Sequence, residues 1–311
     1  MMRALGDSTI PLLILIFSGI FNVAFDVILV KYCGLDVAGV GIATVISQVV
    51  ASILVILYLM FNKRGFVKFR FRDLRIDKRA LWNVIKIGLP AGIQGLAFCI
   101  PNVMIQSSLY TITNYSINGI KISMDEIVSA GSACNQIESY AFAIEEAIGV
   151  SLCSFIGQNY GAQKKENLRK LLFYAIIYNI ITAALVDLLV FTCSDGLLSI
   201  FISDSAGVVK SNALLAGNER LKIMLIPYIF DGIMVTCGNY LRGMKISTPP
   251  AVVTLIGCTG FRIIFIYCLF NVVPYFHTIF WLYAAYPISW ILIDIAYIPI
   301  ILVLEKKAFR N

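Results

Sequence analysis

The sequence is poor in the residue types that most often carry catalysis and metal binding. It contains one histidine, His277, which nearly removes histidine-based catalysis and histidine metal sites. Its 8 cysteines lie singly, without a Cys-x-x-Cys pair, so they indicate neither a metal cluster nor disulfides. We therefore expect a protein that is not an enzyme and that carries no cofactor and no structural metal.

Charged residues are also scarce. They make up 14% of the 311 residues, whereas hydrophobic residues make up 59%, and soluble domains carry about 25% charged residues. The hydrophobic residues form blocks that are long enough to cross a bilayer as helices. The blocks run over 10–30, 38–61, 84–111, 129–156, 171–192, 221–241, 250–270 and 276–304. We predict an all-α polytopic membrane protein with about eight transmembrane helices in this chain.

Basic residues are concentrated in one connection, 62–82. The positive-inside rule places this loop in the cytoplasm. Threading the spans from it puts both chain ends in the cytoplasm and leaves few bases outside, among them Arg220 and Lys222. We expect a multi-pass protein of the cell membrane whose net charge of +7 reflects topology and contact with anionic lipid. The alternative is an RNA surface on the alternating Phe and basic residues of 66–72; we expect no nucleic-acid partner.

A short motif occurs twice in the chain. Residues recur at an offset of 239 positions, with Arg3, Ser8, Thr9 and Pro11 matching Arg242, Ser247, Thr248 and Pro250. Each copy precedes a span that leaves the cytoplasm, and two parallel repeats are a known transporter architecture. The second copy has far more chain before it than the first, so equal halves would require about four further spans upstream. We expect a twelve-helix protein in two six-helix lobes.

Several ordered motifs resemble the multidrug and toxic compound extrusion (MATE) family. They are MRALGDS at 2–8, GVGIATVISQ at 39–48, IGLPAG at 87–92, GQNYGA at 157–162 and LRG at 241–243. The resemblance implies a monomer in the lipid bilayer that exports amphipathic, cationic drugs or metabolites in exchange for H⁺ or Na⁺. On that mapping, 1–61 hold spans five and six of the amino-terminal lobe, 62–82 form a basic cytoplasmic linker, and 83–311 hold spans seven to twelve of the carboxyl-terminal lobe.

An amide and a carboxylate lie inside the first span. Asn22 and Asp26 are four residues apart, so they share a helix face, and ionisable groups within spans are functional candidates by default. A carboxylate beside an amide oxygen can bind a proton or Na⁺. The resemblance implies that these two residues form a cation-coupling site with Thr44 on the next span, where Na⁺ is possible. The alternative is that Asn22 and Asp26 only tie helices together.

Three acidic positions stand out in the predicted carboxyl-terminal lobe. Asp231 precedes Arg242 by eleven residues, the spacing of the acidic residue on the family's tenth span, so the resemblance implies a second cation-coupling residue. The alternative places Asp231 near the outer mouth of its span, paired with Lys222 or water. Glu138 and Glu145 lie two helical turns apart and could face one cavity, where they would attract cationic drugs.

Two amides in the third block repeat the four-residue spacing. Asn102 and Gln106 share one face of the predicted helix and are candidates for lining the same substrate cavity. Hydrogen bonding between helices is the alternative for these amides and for both glutamates.

Two other functions compete with export. A lipid-linked oligosaccharide or lipid flippase of the same superfamily would need a strongly cationic cavity for pyrophosphate. These spans hold carboxylates and few bases, namely Lys86 and Arg262. An intramembrane enzyme would need a nucleophile–base or metal constellation, and the single histidine, His277 by the last exterior turn, argues against it.

The basic loop predicts on which side of the membrane each connection lies. A green fluorescent protein joined after Arg70 should fluoresce, because it stays in the cytoplasm, whereas one joined after Gly119 should be dark. Alkaline phosphatase at the same two positions should give the reverse pattern of activity. Fluorescence at both positions would contradict the assigned topology.

Overall fold

The computed structural model describes residues 8–61, 77–112, 115–117, 119–203 and 208–308. It divides into two units, Met1–Leu81 and Trp82–Asn311. Three features predicted from the sequence lie wholly or partly outside the described residues: positions 62–76 of the linker, Arg3 of the repeated motif, and positions 2–7 of the MRALGDS motif.

The described residues are predominantly helical. The helices are α1 (Thr9–Val27), α2 (Asp36–Phe61), α3 (Lys78–Leu109), α4 (Met124–Gly161), α5 (Lys165–Thr192), α6 (Ser194–Phe201), α7 (Lys210–Met224), α8 (Tyr228–Gly243), α9 (Thr248–Thr254), α10 (Phe261–Ile264) and α11 (Ile279–Ala308). π-Helical turns extend α1 over Ile28–Tyr32, and others join α9 and α10 into one helix that ends at Phe270. Two antiparallel strands, β1 (Ser116–Ile117) and β2 (Ile120–Lys121), form a small hairpin between α3 and α4.

Most of the helices are long and apolar enough to cross a membrane. In the described part of the chain 7 pass this test, or 8 when α7 and α8 count as one bent span. The prediction of an all-α polytopic fold with about eight spans is therefore confirmed.

The sixth predicted block, 221–241, is not one straight span. It falls on a bent pair, in which α7 begins already at Lys210 and meets α8 at an angle of 51°. Pro227 lies at the bend, where a proline ring lacks the N–H donor and clashes with the preceding turn. The start of α7 escaped the hydropathy pattern because it is rich in polar residues. Arg220, which the sequence placed in an exterior loop, therefore lies within a helix.

In the first unit, α1 and α2 form a helical hairpin. Small residues at Gly39, Ala43 and Ser47 are buried on one face of α2, and small residues allow helices to approach closely in a membrane. Ser18 Oγ donates a hydrogen bond to Ser47 O at 2.9 Å. A Cβ at Gly39 would lie 3.2 Å from Leu29 Cβ. Most of the large apolar side chains of both helices are exposed, as lipid-facing side chains are.

In the second unit, the 38-residue α4 packs against α5, α7 and α8. A capping box sets its start: Ser123 Oγ accepts from Glu126 N at 3.3 Å, and Glu126 Oε2 accepts from Ser123 N at 2.7 Å. The other oxygen, Glu126 Oε1, accepts from Val209 N at 3.2 Å and from Asn212 Nδ2 at 3.0 Å. One buried carboxylate therefore fixes the beginnings of both α4 and α7.

Helix α8 ends at a glycine that touches α4. A Cβ at Gly243 would lie 2.7 Å from Ile156 Cβ and 2.9 Å from the backbone oxygen of Cys153. We expect Gly243→Ala to destabilise the protein by about 1–3 kcal/mol, because backbone cannot yield as a flexible side chain can. Gly88→Ala is the control, since nothing lies within 4 Å of its added Cβ. Thermal unfolding of the detergent-solubilised chain measures both, and equal midpoints would contradict the close packing of α8 on α4.

Candidate functional site

The second unit contains a cavity of about 520 Å³. Helices α3, α4, α7, α8, α10 and α11 contribute its lining. Its aromatic side chains are Phe98, Phe142, Tyr228, Tyr283, Tyr286 and Trp290. Its charged side chains are Glu138, Arg220, Asp231 and Arg262. Aromatic walls with a few placed polar groups are typical of a small-molecule site.

Several residues that the sequence singled out meet in this cavity. Asn102 and Gln106 on α3, Glu138 on α4 and Asp231 on α8 all line it. Glu145, which was predicted to share the cavity with Glu138, is not among the lining residues; it is buried, and its Oε2 has no hydrogen-bond partner. Residues seven apart are separated by about 10 Å along a helix axis. The two glutamates therefore share a face of α4 but lie at different points along it, and of the two only Glu138 is among the residues that line this cavity.

Glu138 is held by an arginine. Arg220 Nη2 lies 2.8 Å from Glu138 Oε2, and its Nε donates to Oε1 at 3.2 Å. The guanidinium also donates to Gly131 O at 3.1 Å and to Asn135 Oδ1 at 2.5 Å. Its Cζ lies 4.9 Å from the ring centre of Tyr283. The ion pair joins α4 to α7, and it neutralises the carboxylate that was expected to attract a cationic drug.

Arg220 is the charged cavity residue that sequence reasoning put in the wrong place. The buried residues of α7 are Ala213, Ala216, Gly217, Arg220, Leu221 and Met224. They recur every three or four positions, which is the spacing of one helix face. Helical periodicity, rather than local hydropathy, is therefore the signal that turns Arg220 inward.

Asp231 lies in the first turn of α8, is 5% exposed and lines the cavity. Its alternative partner, Lys222, is instead bound to Glu219 at 2.7 Å. No ion pair joins Asp231 to another residue in the part of the chain that the structure describes. Asn102 lines the cavity, but its side-chain oxygen is already bound: Asn102 Oδ1 accepts a hydrogen bond from Arg262 Nη1 at 3.4 Å.

In the first unit, Asn22 and Asp26 are half-buried on one face of α1. Asn22 Nδ2 and Asp26 Oδ1 are buried and have no hydrogen-bond partner. Thr44 is exposed on α2, and its Oγ1 donates to Val40 O at 2.9 Å, as threonine often does inside a helix. The helix brings Asn22 and Asp26 together, whereas the hydroxyl proton of Thr44 is used within α2.

The buried pair of Glu138 and Arg220 should contribute strongly to stability. Removing one partner of a buried pair leaves an uncompensated charge at a cost of about 3–5 kcal/mol, so Glu138→Gln should lower the unfolding midpoint markedly. Glu219→Gln is the matched control, because its pair with Lys222 has side chains 39% and 55% exposed and exposed pairs contribute about 0–1 kcal/mol. Chemical unfolding in mixed micelles measures both variants. An equal loss of unfolding free energy in the two variants would show that the buried pair contributes no more to stability than the exposed pair.

Comparison with known proteins places the chain in a family. The MatE family model matches residues 99–268. The Probable multidrug resistance protein YoeA of Bacillus subtilis (strain 168) is 24% identical over 268 residues, which are 84% of this chain and 54% of that protein. A FAD transporter of Shewanella oneidensis (strain ATCC 700550 / JCM 31522 / CIP 106686 / LMG 19005 / NCIMB 14063 / MR-1) is 26% identical over 208 residues, 65% of this chain and 43% of that protein.

Solved structures share the fold. A crystal structure described as MATE in complex with MaL6 superposes with a TM-score of 0.79 at 17% identity, covering 96% of this chain and 63% of that one. The chain spans about half the length of the curated relatives that it matches. Because the family model covers more than half of the residues, the chain belongs to the MatE family, that of multidrug and toxic compound extrusion.

Proposed function

We propose that the chain is part of a secondary active exporter, which moves an amphipathic small molecule out of the cell in exchange for a proton. The aromatic cavity of about 520 Å³ inside a bundle of the MatE family is the observation that supports this most. Relatives are named for multidrug resistance and multidrug export, and members of the family are transporters rather than enzymes. We place the protein in the cell membrane as a multi-pass monomer with both ends in the cytoplasm.

Asp26 is the proposed coupling residue. Its Oδ1 is buried without a partner near the end of α1, within an apolar span that continues to Tyr32. A carboxylate inside a span is costly unless it serves a function. A single unpartnered carboxylate oxygen suits a proton. Na⁺ needs several oxygens around it. The Thr44 hydroxyl donates its proton to Val40 O but keeps its oxygen lone pairs, so it stays a ligand candidate beside the amide oxygen of Asn22. The proposal of H⁺ rests on the buried, unpartnered carboxylate oxygen of Asp26, with Asn22 as the neighbouring polar group.

Asp231 is the second candidate for cation coupling, in the other unit. It is the cavity carboxylate that has no ion pair among the described residues. The cationic cargo expected from the sequence would have this one carboxylate to bind, because Glu138 is already bound to Arg220. An amphipathic cargo with an aromatic part fits the walls of the cavity whatever its charge.

A lipid flippase remains the second candidate function. The cavity holds two arginines, Arg262 as the sequence suggested and Arg220 in place of Lys86, and these are the positive charges that could meet a pyrophosphate. Two carboxylates in the same cavity balance them. This balance favours the exporter, because a pyrophosphate carries more negative charge than such a cavity can neutralise.

Export can be tested in bacterial cells that express the chain. Cells should accumulate less ethidium or less fluorescein, an aromatic cation and an aromatic anion, than cells with the empty vector. Asp26→Asn should abolish the part of this efflux that depends on the proton gradient, because an amide cannot exchange a proton. Asp36→Asn is the matched control: Asp36 is exposed at the start of α2 with φ of +41°, a conformation that asparagine tolerates.

Two results would contradict the proposal. Accumulation of both dyes at the empty-vector level would argue against export by this chain. Efflux that a Na⁺ gradient alone sustains, with no effect of the proton gradient, would argue against the proton. In proteoliposomes, dye-stimulated proton flux would separate an exporter from a flippase, which moves lipid without such a flux.

A further inference from the structure

Arg262 is an arginine buried inside the membrane region. It is 1% exposed, yet it lines the cavity. It lies on α10, a single α-helical turn between the π-helical stretches Leu255–Gly260 and Phe265–Phe270. π-Helical turns inside a helix change the register of the side chains that follow and are frequent at functional sites. The local helix geometry therefore directs a charged side chain to the cavity, although burying a charge there costs desolvation free energy.

The bonding partners of Arg262 are all neutral. Its Nε donates to Ser289 Oγ at 3.0 Å, and its Nη1 donates to Asn102 Oδ1 at 3.4 Å. Its Cζ lies 4.2 Å from the ring centre of Tyr286 and 6.0 Å from that of Trp290. These contacts hold the guanidinium plane in place but do not neutralise its charge. A buried charge is normally paired.

The other arginine of the cavity, Arg220, differs from Arg262 because it binds a carboxylate. Arg220 is bonded to the carboxylate of Glu138 through two nitrogens. No carboxylate oxygen of the described residues lies within 4.0 Å of a nitrogen of Arg262. None of the hydrogen bonds found among those residues is made by its Nη2. Asp231 lines the same cavity but lies beyond ion-pair distance.

We propose that this cavity is an oxyanion-binding site, in which Arg262 binds the carboxylate or phosphate group of an aromatic compound. The planar guanidinium presents its donors as a fork that matches such groups, and a charged partner shortens and strengthens these bonds. The aromatic walls bind the ring of the ligand. The inference rests on the proposed function only in calling the ligand a cargo.

The site predicts a preference that can be measured on the unmodified chain in detergent micelles. The probes are naphthaleneacetate, naphthyl phosphate, naphthylethanol and naphthylethylamine, which share a ring and differ in the terminal group. Isothermal titration should show that at least one oxyanion binds about tenfold or more tightly than the amine, as a charge-assisted hydrogen bond predicts. Comparison of the acetate with the phosphate tells which oxyanion fits better. Tighter or equal binding of the amine would overturn the proposal.

Variants test whether Arg262 is responsible. Arg262→Gln should remove the preference for the oxyanion, whereas Lys86→Gln should keep it, because Lys86 is exposed on α3 and outside the cavity lining. Asp231→Asn should bind naphthyl phosphate at least as tightly as the unmodified chain, since a negative charge has left the cavity. A preference that survives Arg262→Gln would overturn the proposal. So would a loss of naphthyl phosphate binding in Asp231→Asn.

The binding experiment and the efflux experiment fail separately. If the oxyanions bind with the expected preference but neither dye is exported, the proposed function is contradicted and the oxyanion site stands. If export occurs but the amine binds as tightly as the oxyanions, the exporter stands and the oxyanion site is contradicted.

Discussion

The second unit depends on the ion pair between Glu138 and Arg220. Helix α7 is too polar to enter a membrane on its own, and in hydrocarbon no water can take over the charge of Arg220. Glu138 neutralises that charge from α4 at 2.8 Å, and Glu126 accepts two hydrogen bonds near the start of α7. Two carboxylates, both on α4, therefore hold the polar helix that forms one wall of the cavity.

Two of the four charged residues that line the cavity form an ion pair, and two do not. Arg220 is paired with Glu138, whereas Arg262 and Asp231 line the same cavity beyond ion-pair distance. Aromatic side chains stand around them, and a dielectric below that of bulk water strengthens the field of every unpaired charge. A purely apolar drug pocket would not need Arg262. For a pyrophosphate, the two carboxylates offset the two arginines and leave the cavity without net positive charge. The arrangement suits a ligand with an aromatic body and one charged group.

The sequence predicts the number and class of the helices well, because a run of about 20 apolar residues is the length that a transmembrane helix needs. It fails where hydropathy and helix geometry disagree. Helix α7 is polar overall, so its start at Lys210 and the inward face of Arg220 follow only from the three- and four-residue spacing of its buried residues. Helical periodicity predicts which face of a helix a residue occupies, but it does not predict how far along the helix a cavity extends. Glu138 and Glu145 share a face, yet only Glu138 is among the residues that line the cavity. A single sequence does not predict which residues of distant helices bind each other, as Asn102 and Arg262 do.

Charge in the cavity also restricts how a proton can be exchanged for cargo. A proton on Asp231 removes the negative charge that shares the cavity with Arg262, so this proton and an oxyanion at Arg262 favour each other. Linkage makes that effect reciprocal. Exchange needs the opposite sign, because proton and cargo must stabilise different conformations. Asp231 alone therefore cannot exchange a proton for an oxyanion. Asp26, the coupling residue of the proposed function, is not among the residues that line this cavity, so its proton can favour a different conformation from the one that the cargo favours.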